Sequence, residues 1–129
     1  MLSKLDPLTL DYINFMSNVG ALLTEQEFVQ QLPMLFAQSI TKVENGKIIV
    51  TGQAALLDQL KNARDYAFPW KIEVLDVVND DQNRKSMVRF TWNSEKVGMH
   101  ITAAILKFDE NSKIVEINEV YNKFSDITH

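Results

Sequence analysis

The spacing of apolar residues changes once along this chain, and that change limits the folds open to it. Before Phe68-Pro69-Trp70 the apolar residues recur at helical intervals; after it they alternate as strand residues do. A helical half followed by a run of consecutive strands implies an α+β fold, with the helices laid on one side of an antiparallel meander.

Within the first half, Asp6 is placed to cap a helix whose first residue is Pro7, where a missing N–H costs nothing. Leu10, Ile13, Phe15, Met16 and Val19 follow at near-helical spacing, and Gly20 is expected to close the helix in the left-handed conformation. Thr24 and Glu27 have the spacing of a capping box. They open a second helix whose apolar stripe runs Phe28, Leu32, Leu35, Phe36 and Ile40. Pro33 lies inside it and is expected to kink or split it, because a helical hydrogen bond is lost there. Asn45-Gly46 is a two-residue hairpin turn joining short strands near 40–44 and 47–51. A third helix runs from Gln53 to about Tyr66, with Leu56, Leu57, Leu60 and Ala63 on one side.

In the second half, strands are expected around 72–78, 86–92, 99–108 and 113–121, separated by the polar stretches 79–83, 93–98 and 109–112.

The 129 residues form a single domain, 1–129, and at 46% hydrophobic they can build a core. There is no cysteine, so disulfides, thiolate metal sites and thiol nucleophiles are excluded. Two histidines, His100 and His129, cannot make a three-histidine zinc site, and no metal or cofactor motif is present. The net charge of −4, with no basic cluster, argues against nucleic acid and anionic membranes as partners. No apolar run approaches the roughly 20 residues of a membrane span. The N-terminus lacks the apolar segment of a secretory signal, so a cytoplasmic location is expected.

Three short motifs carry a family resemblance. Gly52-Gln53-Ala54-Ala55-Leu56 opens the third helix. Ile105-Leu106-Lys107-Phe108-Asp109-Glu110 and Lys113-Ile114-Val115-Glu116-Ile117 form the last hairpin. Together with the element order, they resemble the nuclear transport factor 2-like superfamily, in particular its SnoaL-like and ketosteroid isomerase-like members. The resemblance implies a cone: a strongly curved antiparallel sheet wrapped by three helices, a cystatin-like α+β barrel with a pocket between helices and sheet. Relatives use that pocket for isomerase, dehydratase, cyclase and epoxide hydrolase chemistry, or for binding and dimerisation, and the fold alone does not choose among these.

The resemblance also implies which strand faces point inward. Inward on the fifth strand are His100, Thr102, Ala104, Leu106 and Phe108. On the last strand they are Val115, Ile117, Glu119 and Tyr121, and on the strand before the 93–98 loop Val88, Phe90 and Trp92. His100 and Glu119 then form a candidate acid/base pair able to make an ion pair. The implied pocket is lined by Tyr12, Val88, Phe90, Trp92, Thr102, Ala104, Leu106, Ile117 and Tyr121. Ala104 stands where ketosteroid isomerase has its protonated acid. Glu44 is the single carboxylate in the region that should supply the base, and it adjoins a turn where solvent is expected. Steroid isomerisation is therefore not expected.

The outward residues Met87, Ile101, Ala103, Ile105, Ile114 and Val120 suit a homodimer through the sheet. The expected function is binding of a small hydrophobic molecule, or divergent isomerase, dehydratase or hydrolase chemistry. The alternatives are a homodimeric scaffold and an accessory subunit of a larger assembly.

Overall fold

The structure, a computed structural model, describes residues 5–21 and 24–123. The N-terminal stretch read for a signal, and His129, lie outside the described residues. Three helices precede or interrupt the strands: α1 (Asp6–Val19), α2 (Glu25–Leu35) and α3 (Gln53–Ala67). The strands are β1 (Phe36–Glu44), β2 (Lys47–Thr51), β3 (Trp70–Asp80), β4 (Lys85–Ser94), β5 (Gly98–Phe108) and β6 (Ile114–Lys123). They form one curved, open sheet in the order β2-β1-β6-β5-β4-β3.

The strand pairs are antiparallel except one, second from the β2 edge, where β1 runs parallel to β6. The expected curved sheet is thus antiparallel in four of its five pairs and mixed overall. The parallel pair arises because β1 and β2 form a hairpin early in the chain, whose inner strand the last strand then joins. The three helices lie on the concave face, with α1 packed on β3 and α3 on β1 and β2. Between them lies a core that includes Tyr12, Phe15, Phe28, Phe36, Leu56, Val88, Ala104, Leu106 and Ile117, all 4% exposed or less.

Three local expectations change. Asp6 is the first helical residue rather than the cap, and Leu5 occupies the cap position. Gly20 ends α1 with φ −81°, an ordinary right-handed value, so a left-handed cap is not its purpose. A methyl group at Gly20 would instead be driven into the buried indole of Trp70. That indole donates its Nε1–H to the Met16 carbonyl at 3.0 Å, and the Trp70 amide donates to the Gly20 carbonyl at 2.9 Å. Gly20 thus lets the end of α1 lie directly on the start of β3.

The second helix stops at Leu35, so Phe36 and Ile40 belong to β1 and not to a helical stripe. Its capping box is present: the Glu27 amide donates to Thr24 Oγ1 at 3.2 Å, and the Thr24 amide donates to Glu27 Oε1 at 3.2 Å. Pro33 falls in its last turn and does not split it, since the helix runs on to Leu35; the Pro33 carbonyl accepts a 2.8 Å bond from Lys113 Nζ.

Inward and outward faces follow the expected alternation on β4 and β5. On β6 the ladder slips between Lys107 and Phe108, so Phe108 stands opposite Ile114. This irregularity turns Ile114, expected outward, fully into the core and leaves Val115 half-buried.

Candidate functional site

Alternation on β1 begins from Ile40, which is completely buried, and brings Lys42 and Glu44 onto the same concave face. The Asn45-Gly46 turn, with φ of +48° and +85°, ends β1 just past Glu44. Asn45 also reaches across to β6: its amide donates to the Glu119 carbonyl at 2.9 Å, and its Oδ1 accepts from the Tyr121 amide at 3.0 Å. These bonds extend the β1–β6 ladder, in which Glu44 and Glu119 are direct cross-strand neighbours.

Two carboxylates side by side on a buried face repel unless a cation or a proton lies between them. A cation is present here. Lys42 Nζ lies 3.2 Å from Glu44 Oε2 and 3.7 Å from Glu119 Oε1. It also donates to Gln59 Oε1 at 3.2 Å, while Gln59 Nε2 donates to Glu44 Oε2 at 2.8 Å. Glu119 is 8% exposed. Burial pushes its carboxyl above the ordinary range; Lys42 opposes the shift, while the Glu44 charge and a side-chain hydrogen bond with Glu44 reinforce it. Burial raises the phenol of Tyr12 well above its usual range, with the charges of Glu119 and Glu44 adding to it. Tyr121 is raised in the same way, and its hydroxyl hydrogen-bonds Glu44.

Above this polar floor is a cavity of about 350 Å³, lined by Tyr12, Met16, Lys42, Glu44, Tyr66, Ile72, Phe90, Trp92, His100, Thr102, Glu119 and Tyr121. Seven sequence-predicted residues thus line it: Tyr12, Phe90, Trp92, His100, Thr102, Glu119 and Tyr121. Val88, Ala104, Leu106 and Ile117 do not; they face the same side but are sealed in the core, at 0–1% exposure.

His100 and Glu119 share the cavity but do not pair. In the β5–β6 register His100 faces Lys123, and Glu119 faces Ala104. They are four residues apart along the ladder, about 13 Å. The ion-pair partner of Glu119 is Lys42. His100 packs instead between Trp92 and Tyr121, with ring centroids at 5.2 and 6.1 Å, and its Nδ1 is buried without a hydrogen-bond partner. Desolvation, and then the nearby Lys123 charge, lower its pKa, so the ring stays neutral at neutral pH.

Sequence reasoning missed Lys42, Met16, Tyr66 and Ile72, and it placed Glu44 in solvent. Ile40 would have revealed the two charged residues, because alternation from a buried Ile40 puts positions 42 and 44 inward. The strand expected at 40–44 carries that alternation, but Glu44 is judged there by its nearness to the turn rather than by its face. Among the described residues, no cluster of three or more His, Cys, Asp or Glu side chains could hold a metal ion, and no helix is long and apolar enough to cross a membrane.

No protein-family model matches the chain, and no curated protein matches it in sequence. Solved structures do match in shape. An NTF2-like protein of unknown function from Exiguobacterium is 18% identical, with 91% of this chain and 99% of that one covered and a TM-score of 0.72. An epoxide hydrolase/cyclase-like enzyme of pyran ring formation in the polyether salinomycin is 12% identical, with 92% and 91% covered and a TM-score of 0.71. A protein with a ketosteroid isomerase-like fold from Catenulispora acidiphila, in complex with trimethylamine, is 11% identical, with 95% and 89% covered and a TM-score of 0.69. The chain has the nuclear transport factor 2-like fold, the architecture of SnoaL-like and ketosteroid isomerase-like proteins.

Proposed function

We propose that the cavity is a small-molecule site for a compact, largely hydrophobic ligand whose polar group is set against Glu119. The observation that carries this reading is the pair of a buried Glu119 and a part-buried Glu44 at the foot of an aromatic-walled cavity. A space of about 350 Å³ with apolar walls and a few convergent polar groups is the usual form of such a site. A carboxyl raised by burial beside a second carboxylate is a candidate proton donor and acceptor. In an isomerase, dehydratase or hydrolase-type reaction, Glu119 would be the acid/base, Glu44 the partner that takes up and returns its proton, and Tyr12 and Thr102 the orienting hydroxyls. His100, at the far end of the cavity, contacts the opposite end of the ligand.

The test is a panel of cyclic enones, epoxides and enols, followed by the Trp92 indole resonance and by product analysis. The wild-type protein should bind or convert at least one class. Glu119→Gln and Glu44→Gln should each weaken binding or turnover at least tenfold. Failure of the whole panel on wild-type protein, or unchanged behaviour in both variants, would contradict the reading.

A second reading concerns the outer face of the sheet. Ile105 and Val120 are 45% and 58% exposed and are flanked by Met87, Ile101 and Ala103. Such a face suits a second copy of the chain. It is compatible with the first reading, because the cavity opens on the other side of the sheet.

A further inference from the structure

The cavity has a direction, set by the register of its strands. Glu119, Ala104 and Val88 form one row across β6, β5 and β4, and all three are buried. Four residues along each strand, about 13 Å away, lies the row of Lys123, His100, Trp92 and Ile72. There His100, Trp92 and Ile72 are half-buried and Lys123 is exposed. The Glu119 end is thus the floor, and the His100 end meets solvent.

Helix α3 carries a further residue to the His100 end. Gln53 Nε2 donates to the Phe36 carbonyl at the start of β1, and Gln59 Nε2 donates to Glu44 Oε2 at its end. The helix therefore runs along β1, while β6, parallel to β1, continues past Glu119 to Lys123. Tyr66 is seven residues beyond Gln59, two turns or about 10 Å further on, and on the same helix face. The chain then turns at Phe68-Pro69 into β3, whose Ile72 belongs to the His100 row. Tyr66 lines the cavity from this end.

Among the described residues Tyr66 is the one exposed aromatic side chain, at 70%, and it makes no hydrogen bond and no ring contact. Core packing does not account for it. The neighbouring part of the roof is fixed, because α1 is held by the 2.8 Å Thr9–Ser86 bond and by the Trp70 indole on the Met16 carbonyl. Tyr66 is free to turn, and exposed side chains change rotamer within nanoseconds.

We propose that Tyr66 sets the length of ligand the site prefers: its ring closes over the apolar end of a ligand long enough to reach the His100 row. The proposal rests on the reading of the cavity as a ligand site with the polar group at Glu119, and it adds the residue that selects the opposite end. A tyrosine suits this position, since its apolar ring covers the ligand while its hydroxyl stays in water. Ring and ligand remove apolar surface from water together only when the ligand extends that far. A short ligand held at the floor gains nothing from Tyr66.

The experiment is calorimetric titration of the full chain with para-alkylphenols, from para-cresol to para-hexylphenol. A phenol is a stable enol whose hydroxyl can meet Glu119 as donor or acceptor, and only the alkyl chain varies. Wild-type affinity should rise with chain length. Tyr66→Ala should weaken para-hexylphenol at least about fivefold and para-cresol less than about twofold, while Tyr66→Phe, which keeps the ring, should retain the wild-type profile. Thermal unfolding should show both variants folded with little change in midpoint, because Tyr66 is exposed. An equal loss at both lengths would mark a purely structural role, and no loss at either would make the ring a bystander. Each of these overturns the proposal and leaves the ligand site intact. If no phenol binds the wild-type protein, the proposal falls, and the enones and epoxides decide separately whether the reading beneath it stands.

Discussion

Gly20 shows how a residue's type can be legible while its purpose is not. A glycine after an apolar helical stretch reads as a left-handed cap, yet its backbone is right-handed and what it provides is room for the Trp70 indole. Nothing local in the sequence signals a contact with a residue fifty positions away. Gly20→Ala should overpack this junction and destabilise the protein by about 1–3 kcal/mol, read from the urea midpoint at unchanged slope. An unchanged midpoint would show that the indole moves aside freely. Glu44 shows the reverse error. Its type was noticed and its position next to a turn suggested solvent, but Asn45 ties that turn onto β6 and holds Glu44 against Glu119. A hydrogen bond across the sheet, invisible to periodicity, converts a turn-flanking acid into half of a buried pair.

At the scale of elements, the chain was most readable where short-range chemistry sets the structure. The capping box of α2, the Asn45-Gly46 hairpin and the alternation of β4 and β5 all depend on neighbouring residues, and all are present. Boundaries set by tertiary packing were less readable. Phe36 continues the apolar spacing of α2, but it becomes the first residue of β1 and packs its ring edge-on against Phe15 at 5.6 Å and Tyr12 at 6.3 Å. A large apolar residue fits either a helical stripe or a strand, and only the sheet decides. The slip in β6 was likewise hidden, because Ile114 and Val115 are both apolar and either could face the core. The slip moved one residue off the outer face, and the early start of β1 added residues 36–39 to the strand expected at 40–44.

For the whole molecule, the sheet has two faces with two proposed uses. The concave face carries the cavity; the outer face carries Ile105 and Val120 among half-buried apolar neighbours. Removal of that apolar surface from water favours pairing, at about 25 cal/mol per Å² before association costs. In sedimentation velocity the chain should run as a dimer at micromolar concentration, and Val120→Lys should return it to a monomer with its thermal midpoint little changed. A wild-type monomer at that concentration would leave the outer face solvated. The cavity depends on long-range placement, with its floor from β1 and β6, its aromatic wall from β4, β5 and β6, and its roof from α1 and α3. That explains why inherited strand register found six of its residues while local pattern missed its basic one.

Central to the proposed function is the raised carboxyl of Glu119 at the foot of the cavity, and a carbon-detected NMR titration of the glutamate side-chain carboxyls measures it directly. The Glu119 signal should titrate above the ordinary carboxylate range, because burial raises it and Glu44 adds to the rise. Glu44→Gln should bring it down and Lys42→Met should raise it further, since Lys42 opposes the shift. A Glu119 signal that titrates with the exposed glutamates and ignores both substitutions would contradict the account.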